Sequence, residues 1–250
     1  MLVLAVESAT DTAGVAVADD GGVVASATAS RRRRHGESIA PAIEFVCARA
    51  GIVPAQLDAV AVDVGPGLFT GLRVGVATAK GLGFALGVPV VEMTSLELLA
   101  FDMARRSSAM NDPGRAVLLP VVDARRGQLF AARFRLGAGA GATAPEQEGE
   151  DRVVGPEQLA EDIRTIVAEG GQVLCAGDGA ARYAESLQDA GASLLPAVVA
   201  PDPAILAVVG LTRAAAGAGR DAAKVTARYL RPADVRINWE TRFGPRSVTS

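Results

Sequence analysis

Histidine and cysteine are scarce in this chain of 250 residues. It has one histidine, His35, and two cysteines, Cys47 and Cys175. Zinc fingers, histidine-rich catalytic metal sites and a disulfide framework all need more of these side chains, so the composition excludes them. A hydrolase with a Ser-His-Asp or Cys-His arrangement would have to use His35.

Long apolar runs are also missing. No stretch of about 18 uncharged apolar residues occurs, and the first residues show neither a charged leader nor a small-residue cleavage site. We therefore expect a cytoplasmic protein without a membrane segment. A hydrophobic content of 50% and a net charge of −3 indicate a globular protein with a substantial core.

Lysine is nearly absent, since only Lys80 and Lys224 are lysines among the 25 basic residues. We attribute the preference for arginine to a GC-rich genome rather than to nucleic-acid recognition. Four consecutive arginines, 31–34, nevertheless precede His35. They are either phosphate contacts for a nucleic acid or a solvated loop beside a helix, and the loop is the commoner explanation.

Short runs rich in Val and Ala alternate with turn residues at the start of the chain. They predict a three-strand antiparallel meander, and the later apolar stripes predict a helix, a strand, a helix, a strand and a helix. The order β-β-β-α-β-α is that of a ribonuclease-H-like half. The predicted strands are 2–6, 14–18, 23–29, 59–64 and 88–91, and the predicted helices are 39–50, 72–86 and 95–106.

Ser, Asn, Asp, Pro and Gly cluster at 107–115, which marks a domain boundary. We predict an α/β protein with domains 1–107 and 108–250, in which the helix near 203–218 is free to pack back on the first domain. The Gly/Ala-rich acidic stretch 137–151 is predicted to be a surface loop. The later predicted strands are 116–122, 128–135 and 172–176, and the later predicted helices are 156–169, 180–190 and 203–218.

A glycine-rich loop, 65–71, lies between a predicted strand and a predicted helix. Backbone amides at a helix N-terminus favour anions, so phosphate binding is physically feasible there. The loop is not a Walker A motif, because Leu72 and Arg73 follow Gly71 where that motif has Lys and Ser or Thr. The run 81–87 imitates a dinucleotide fingerprint, but its last spacing is one residue too long and it lies inside the helix.

Small residues recur every four positions along the same helix, at Gly71, Gly75, Ala79, Gly83 and Gly87. Each helical glycine costs about 1 kcal/mol relative to alanine, so another element must approach this face closely. That element is either the protein's own sheet or another subunit, and these residues alone leave both open.

Two further positions are candidates for binding a metal ion or a phosphate group. Glu7 ends the first predicted strand before the turn 10–12, where a ribonuclease-H-like fold would place a metal- or phosphate-linked carboxylate. The turn 177–179, Gly-Asp-Gly, is either phosphate-facing or an ordinary strand-to-helix turn, and we favour the ordinary turn.

With these residues in view, the sequence resembles the TsaB (YeaZ) family, whose members are partner subunits in bacterial synthesis of threonylcarbamoyladenosine in tRNA. The stretch 62–86, VDVGPGLFTGLRVGVATAKGLGFAL, is close to the signature loop and helix of that family. The resemblance continues in order along the chain, at 4–17, 35–43, 121–134 and 227–235.

The resemblance implies two ribonuclease-H-like domains of the type shared by actin, chaperone ATPases and sugar kinases. It also implies a non-catalytic subunit, since the sister transferase TsaD binds its metal through a pair of histidines and this chain has one histidine. TsaB proteins contact TsaD through two helices of the first domain. On those helices the implied interface residues are Ile39, Ile43, Gly71, Leu72, Gly75, Ala79 and Gly83.

The resemblance further implies that ATP and a metal ion belong to the partner complex, so that this chain alone binds no cofactor. A TsaE-type ATPase joins the complex, tRNA is reached through it, and a homodimer through the same helices is an alternative assembly. Residues expected near a nucleotide are Thr10, Gly67 and Thr70. Glu7 stands where the family more usually has Asp, which weakens the case for metal or phosphate binding at that position.

Two rival functions remain. An independent ATPase or phosphotransferase of the same fold would use Thr10, Gly67 and the turn 177–179 around a nucleotide. A stand-alone tRNA-binding protein would use the arginines 31–34.

Overall fold

A computed structural model describes residues 1–30, 35–106, 116–136 and 144–231. Its first half forms a five-stranded mixed sheet with the order β3-β2-β1-β4-β5. β1 is antiparallel to β2 and parallel to β4, and the meander predicted from the Val/Ala runs is confirmed. The strands are β1 Val3–Glu7, β2 Thr12–Asp19, β3 Gly22–Ser30, β4 Ala59–Asp63 and β5 Val90–Met93.

The second half repeats this topology in a sheet with the order β8-β7-β6-β9-β10. β6 is antiparallel to β7 and parallel to β9, as β1 is to β2 and β4. The repeat confirms the predicted α/β class with two ribonuclease-H-like units. The strands are β6 Ala116–Arg125, β7 Gln128–Leu136, β8 Pro145–Val154, β9 Gln172–Ala176 and β10 Ser193–Leu194.

The helices begin and end at the residues that local chemistry favours. Asp202 accepts a hydrogen bond from Ala204 N at 2.8 Å as the N-cap of α7, and Pro203 takes the first helical position. Gly87, with φ of 68°, ends α2 in the left-handed conformation. The helices are α1 His35–Ala50, α2 Phe69–Leu86, α3 Ser95–Arg106, α4 Pro156–Ala168, α5 Asp178–Arg182, α6 Ala184–Asp189 and α7 Pro203–Ala215.

Both faces of the first sheet are covered, which explains why its strands are almost wholly apolar. Val6 and Val62 pack with α1 and α2 on one face. Ala5 and Ala61 pack with α7 on the other, where Leu206 is fully buried.

Each sheet also receives a helix from the other half of the chain. α3 follows the first sheet in sequence but buries Leu99 and Met103 against Leu118 and Phe130 of the second. α7 follows the second sheet in sequence but packs on the first. The boundary predicted at 107–108 lies outside the described residues and stays a prediction.

The surface loop predicted for 137–151 is wrong over its second part. Residues 145–151 belong to β8, which pairs with β7 along the edge of the second sheet. Cross-strand charge pairs stabilise an edge strand of this composition, and Arg135 bonds Glu148 here. The single helix predicted for 180–190 is also wrong, because Tyr183 separates two short helices, α5 and α6.

Candidate functional site

The glycine-rich loop between β4 and α2 is fastened to the turn that follows β1. Leu68 N donates to Ala9 O at 2.6 Å, and a Cβ on Gly67 would lie 2.2 Å from the same oxygen. The Gly65–Pro66 peptide bond is cis, and Gly65 has a φ of 102°. The close approach that Gly67 permits is therefore to the chain's own backbone.

The small-residue stripe of α2 faces inward. A Cβ on Gly75 would lie 2.4 Å from Ser8 Oγ, and a Cβ on Gly83 would lie 2.7 Å from Val90 Cγ2. Ser8 Oγ also donates to Gly71 O at 2.9 Å, and Ala79 is fully buried. The element that approaches the small-residue stripe is therefore the protein's own sheet and not another subunit.

The remaining residues of the predicted interface are buried as well. Ile39 and Ile43 of α1 belong to the core of the first sheet, and Leu72 is fully buried beneath Gly65. This corrects the expectation that these side chains, together with the stripe, form a contact surface: the amphipathic pattern that singled them out records packing on the sheet.

The opposite faces of the same two helices are open. On α2 the exposed positions include Arg73, Ala77, Gly81, Phe84 and Ala85, which recur every three or four residues. The Phe84 side chain is 84% exposed, and Phe45 on α1 is 54% exposed. Large exposed aromatic rings beside small residues form a surface on which a second helix can pack closely.

Sequence reasoning missed this face because periodicity marks the apolar stripe that meets the core. Phe84 lies within the predicted helix, but its neighbours Gly83 and Leu82 are apolar too. Only the burial pattern separates Gly83, which is buried, from Phe84, which is not.

An aromatic and cationic stack lies at the start of α2. The Arg73 guanidinium lies 3.8 Å above the Phe69 ring, and the Tyr229 ring lies 5.0 Å from it. Thr70, expected near a nucleotide, is exposed beside the stack. Thr10, the other such threonine, is buried and forms a local turn in which Thr12 N donates to its Oγ1 at 3.3 Å.

The C-terminal part of the described chain straps this region together. Arg228 N donates to Val64 O at 2.7 Å, just before the glycine-rich loop. Lys80 of α2 donates through Nζ to Ala223 O at 3.1 Å and to Val225 O at 2.8 Å. The strap thus fixes α2 from the side, where it also covers Gly83 with Ala222.

Ion pairs connect the two halves where the β1–β2 turn meets the β6–β7 hairpin. Arg125 bonds Asp11 and Asp123, each at 2.9 Å, and Arg182 bonds the same Asp123 at 2.9 Å. Arg125 and Arg126 both have positive φ, 64° and 56°, which is uncommon outside glycine. The ion pairs of Arg125 help to hold the hairpin in this conformation.

The Gly177–Gly179 turn is packed against the same hairpin. A Cβ on Gly177 would lie 2.2 Å from Val121 O, and a Cβ on Gly179 would lie 2.9 Å from Val121 Cγ1. Asp178 accepts a bond from Asp123 N at 2.9 Å. These glycines serve an ordinary strand-to-helix turn, the alternative favoured from the sequence, and give no support to a nucleotide at this position.

A depression of about 430 Å³ opens beside the ends of β4 and β5. Its carboxylates are already paired: Glu92 with Arg220 at 3.3 Å, and Glu97 with Arg213. The depression therefore presents compensated charges and offers little to attract an anion or a cation.

Candidate nucleophiles and metal ligands add little. Burial raises the pKa of Cys175 to about 12, so this thiol stays protonated.

Over residues 1–30, 35–106, 116–136 and 144–231, no group of three or more His, Cys, Asp and Glu side chains is placed to hold a metal ion. No helix in those ranges is long and apolar enough to cross a bilayer. The arginines 31–34 lie outside the described residues.

The fold and the site together define a class: a duplicated ribonuclease-H-like protein whose first unit exposes the outer face of two packed helices. The family described as TsaD, tRNA N6-adenosine threonylcarbamoyltransferase, matches residues 6–238. The chain belongs to this TsaD-type family and, within it, to the TsaB (YeaZ) family of tRNA threonylcarbamoyladenosine biosynthesis proteins.

Two relatives and one solved structure show this similarity. The tRNA threonylcarbamoyladenosine biosynthesis protein TsaB of Bacillus subtilis is 27% identical over 96% of this chain and 98% of its own length. TsaB of Escherichia coli is 30% identical over 54% of this chain, and the matched part covers 55% of the length of that relative. A solved Pseudomonas aeruginosa protein, described as similar to peptidase YeaZ, has a TM-score of 0.76 and 25% identity over 92% of this chain and 99% of its own.

Proposed function

We propose that this chain is a non-catalytic subunit for threonylcarbamoyladenosine modification of the adenosine beside the tRNA anticodon, and that it acts by binding and activating a TsaD-type transferase. The observation that carries the proposal is the end-to-end similarity to B. subtilis TsaB, which spans 98% of that protein. ATP and a metal ion belong to the partner complex, and a TsaE-type ATPase joins it. This subunit meets tRNA as part of the assembly.

The exposed face of α1 and α2 is the proposed contact with the transferase. Ala77, Gly81 and Ala85 present little side-chain volume, so a partner helix can approach α2 closely. Phe84 and Phe45 supply the apolar area, and aromatic rings of this kind dominate the binding energy of protein interfaces. The buried stripe contributes indirectly, because it seats α2 on the sheet.

The first test is co-purification of the tagged chain with the TsaD-type subunit of the same organism. Burying a Phe ring stabilises an interface by about 2 kcal/mol, so Phe84→Asp should weaken binding by about 30-fold or more. Val199→Asp, which alters another exposed apolar side chain, 46% exposed, serves as the matched control.

Wild type and the Val199→Asp control should both retain the transferase subunit, whereas Phe84→Asp should lose it with an unchanged melting temperature. Equal retention by all three proteins would contradict the proposed face. If the isolated chain forms a dimer that Phe84→Asp dissociates, while binding of the transferase is unaffected, then the face serves a homodimer instead.

A further inference from the structure

Two carboxyl side chains lie side by side inside the first sheet, at the ends of β1 and β4. Val6 pairs with Val62 in the parallel ladder, so Glu7 and Asp63 occupy the next position on their adjacent strands. Side chains alternate along a strand, and Ala5 faces α7, so Glu7 faces the same side. Glu7 is 0% exposed and Asp63 is 1% exposed.

Each carboxyl group has one satisfied oxygen and one without a partner. Glu7 Oε1 accepts from Ala9 N at 2.8 Å. Asp63 Oδ1 accepts from Gly65 N at 2.7 Å and from Ser95 Oγ at 2.8 Å. Glu7 Oε2 and Asp63 Oδ2 are buried and have no hydrogen-bond partner among the described residues. An unpaired ionised oxygen in the core is costly, and two beside each other are more so.

The charged groups around the pair make full ionisation still less favourable. The charge of Asp202, the N-cap of α7, raises the pKa of Glu7, and the charge of Glu97 of α3, which bonds Arg213, raises the pKa of Asp63. Burial, reinforced by the charge of Asp63, raises the pKa of Glu7 well above its usual range. Burial likewise raises the pKa of Asp63 to about 7, against the opposing effect of its bonds from Gly65 and Ser95.

We propose that Glu7 and Asp63 bind one proton between them in the folded protein, with Glu7 as the acid that donates from Oε2 to Oδ2 of Asp63. One hydrogen bond then satisfies both orphaned oxygens. Asp63 is the better carboxylate because its other oxygen accepts two bonds and that of Glu7 accepts one. The strand end that a ribonuclease-H-like fold can use for a metal-linked carboxylate thus carries a proton as its counter-charge.

The shared proton links pH to the seating of α2. Ser8, next to Glu7, bonds Gly71 O, and Gly65, next but one to Asp63, begins the loop that leads into α2. In the unfolded chain both carboxyls titrate near pH 4. Because the folded pKa is raised, the folded state holds a proton that the unfolded state has lost, so stability falls as pH rises above about 4 and stops falling once the folded pair has lost the proton.

The test compares thermal unfolding of wild type, Glu7→Gln and Glu44→Gln from pH 5 to pH 9. The amide that Glu7→Gln introduces can accept from Ala9 N and donate an N–H to Asp63 Oδ2 without titrating. Glu44 is an exposed carboxyl on α1 and is the matched control. From pH 5 upward the melting temperature of wild type should fall by about 4 °C per pH unit relative to Glu7→Gln for as long as the folded pair keeps its proton, and Glu44→Gln should follow wild type.

A constant difference between wild type and Glu7→Gln across this pH range would overturn the proposal. It would also be overturned if Mg²⁺, Mn²⁺ or Ca²⁺ raised the melting temperature of wild type and not of Glu7→Gln, since a metal ion would then supply the counter-charge. Should Glu7→Gln fail to fold, carbon NMR of the Glu7 carboxyl in wild type decides: a protonated group at pH 7 supports the shared proton, and an ionised group contradicts it.

Discussion

Alanine at Gly83 and at Gly81 should have opposite effects on stability, although the two glycines lie on the same helix and two residues apart. A Cβ on Gly81 would meet no atom within 4 Å. Gly81→Ala should therefore gain the full helix-propensity difference and stabilise the protein by about 1 kcal/mol.

At Gly83 the same methyl group meets a packed interior. Its Cβ would lie 2.7 Å from Val90 Cγ2, 3.1 Å from Ala222 Cβ and 3.2 Å from Val88 O. Val90 and Ala222 are themselves buried, so the neighbours have little room to move. Overpacking costs about 1–3 kcal/mol and outweighs the propensity gain. The two variants should thus differ by about 2 kcal/mol, or roughly 6 °C in melting temperature.

Urea unfolding of the isolated chain, followed by circular dichroism, measures this difference directly. Gly83→Ala should unfold at lower urea than wild type, and Gly81→Ala at higher urea, with equal m-values. If Gly83→Ala were as stable as Gly81→Ala, the stripe would not be packed inside the chain. Its inward orientation, and with it the assignment of the opposite face to a partner, would then be refuted.

Two other perturbations test the contacts that hold the first unit in place. Lys80→Met removes both hydrogen bonds from α2 to the strap and should lower the free energy of unfolding by about 1–2 kcal/mol. Amide hydrogen exchange at 222–226 should then be faster than in wild type. Unchanged exchange would show that the strap does not depend on Lys80. Arg125→Gln removes the ion pairs with Asp11 and Asp123 and should lower the free energy of unfolding by about 1 kcal/mol at low salt and by less at 1 M salt, measured by urea unfolding. A loss that salt does not reduce would show that charge is not its cause.

The fold was largely predictable from the sequence because its signals are local. Val/Ala runs between turn residues define the meander, and Asp202 with Pro203 marks the start of α7. β8 was missed because its residues 145–151 are polar, Gly-containing and acidic, and only pairing with β7 makes them a strand. The periodicity of a helix shows that it has a buried face but not which sheet covers that face, so it did not predict that α3 packs on the second sheet and α7 on the first.

The site was less predictable for a physical reason. A helix covered on one side has an apolar stripe whether its other face meets water or a partner. The pattern at Ile39, Ile43 and Gly75 therefore fits both packing on the protein's own sheet and contact with a partner. The structure supplies the missing fact, which is the direction each side chain faces. The unpaired oxygens of Glu7 and Asp63 likewise follow from strand register, because 56 residues separate the two in sequence.

The central claim is that this chain supports threonylcarbamoyladenosine formation through a transferase bound at the α1–α2 face. The most direct measurement is the amount of this nucleoside in bulk tRNA, by mass spectrometry, after depletion of the chain. The level should fall, and it should recover with wild type or Val199→Asp and stay low with Phe84→Asp. An unaltered level after depletion would contradict the account.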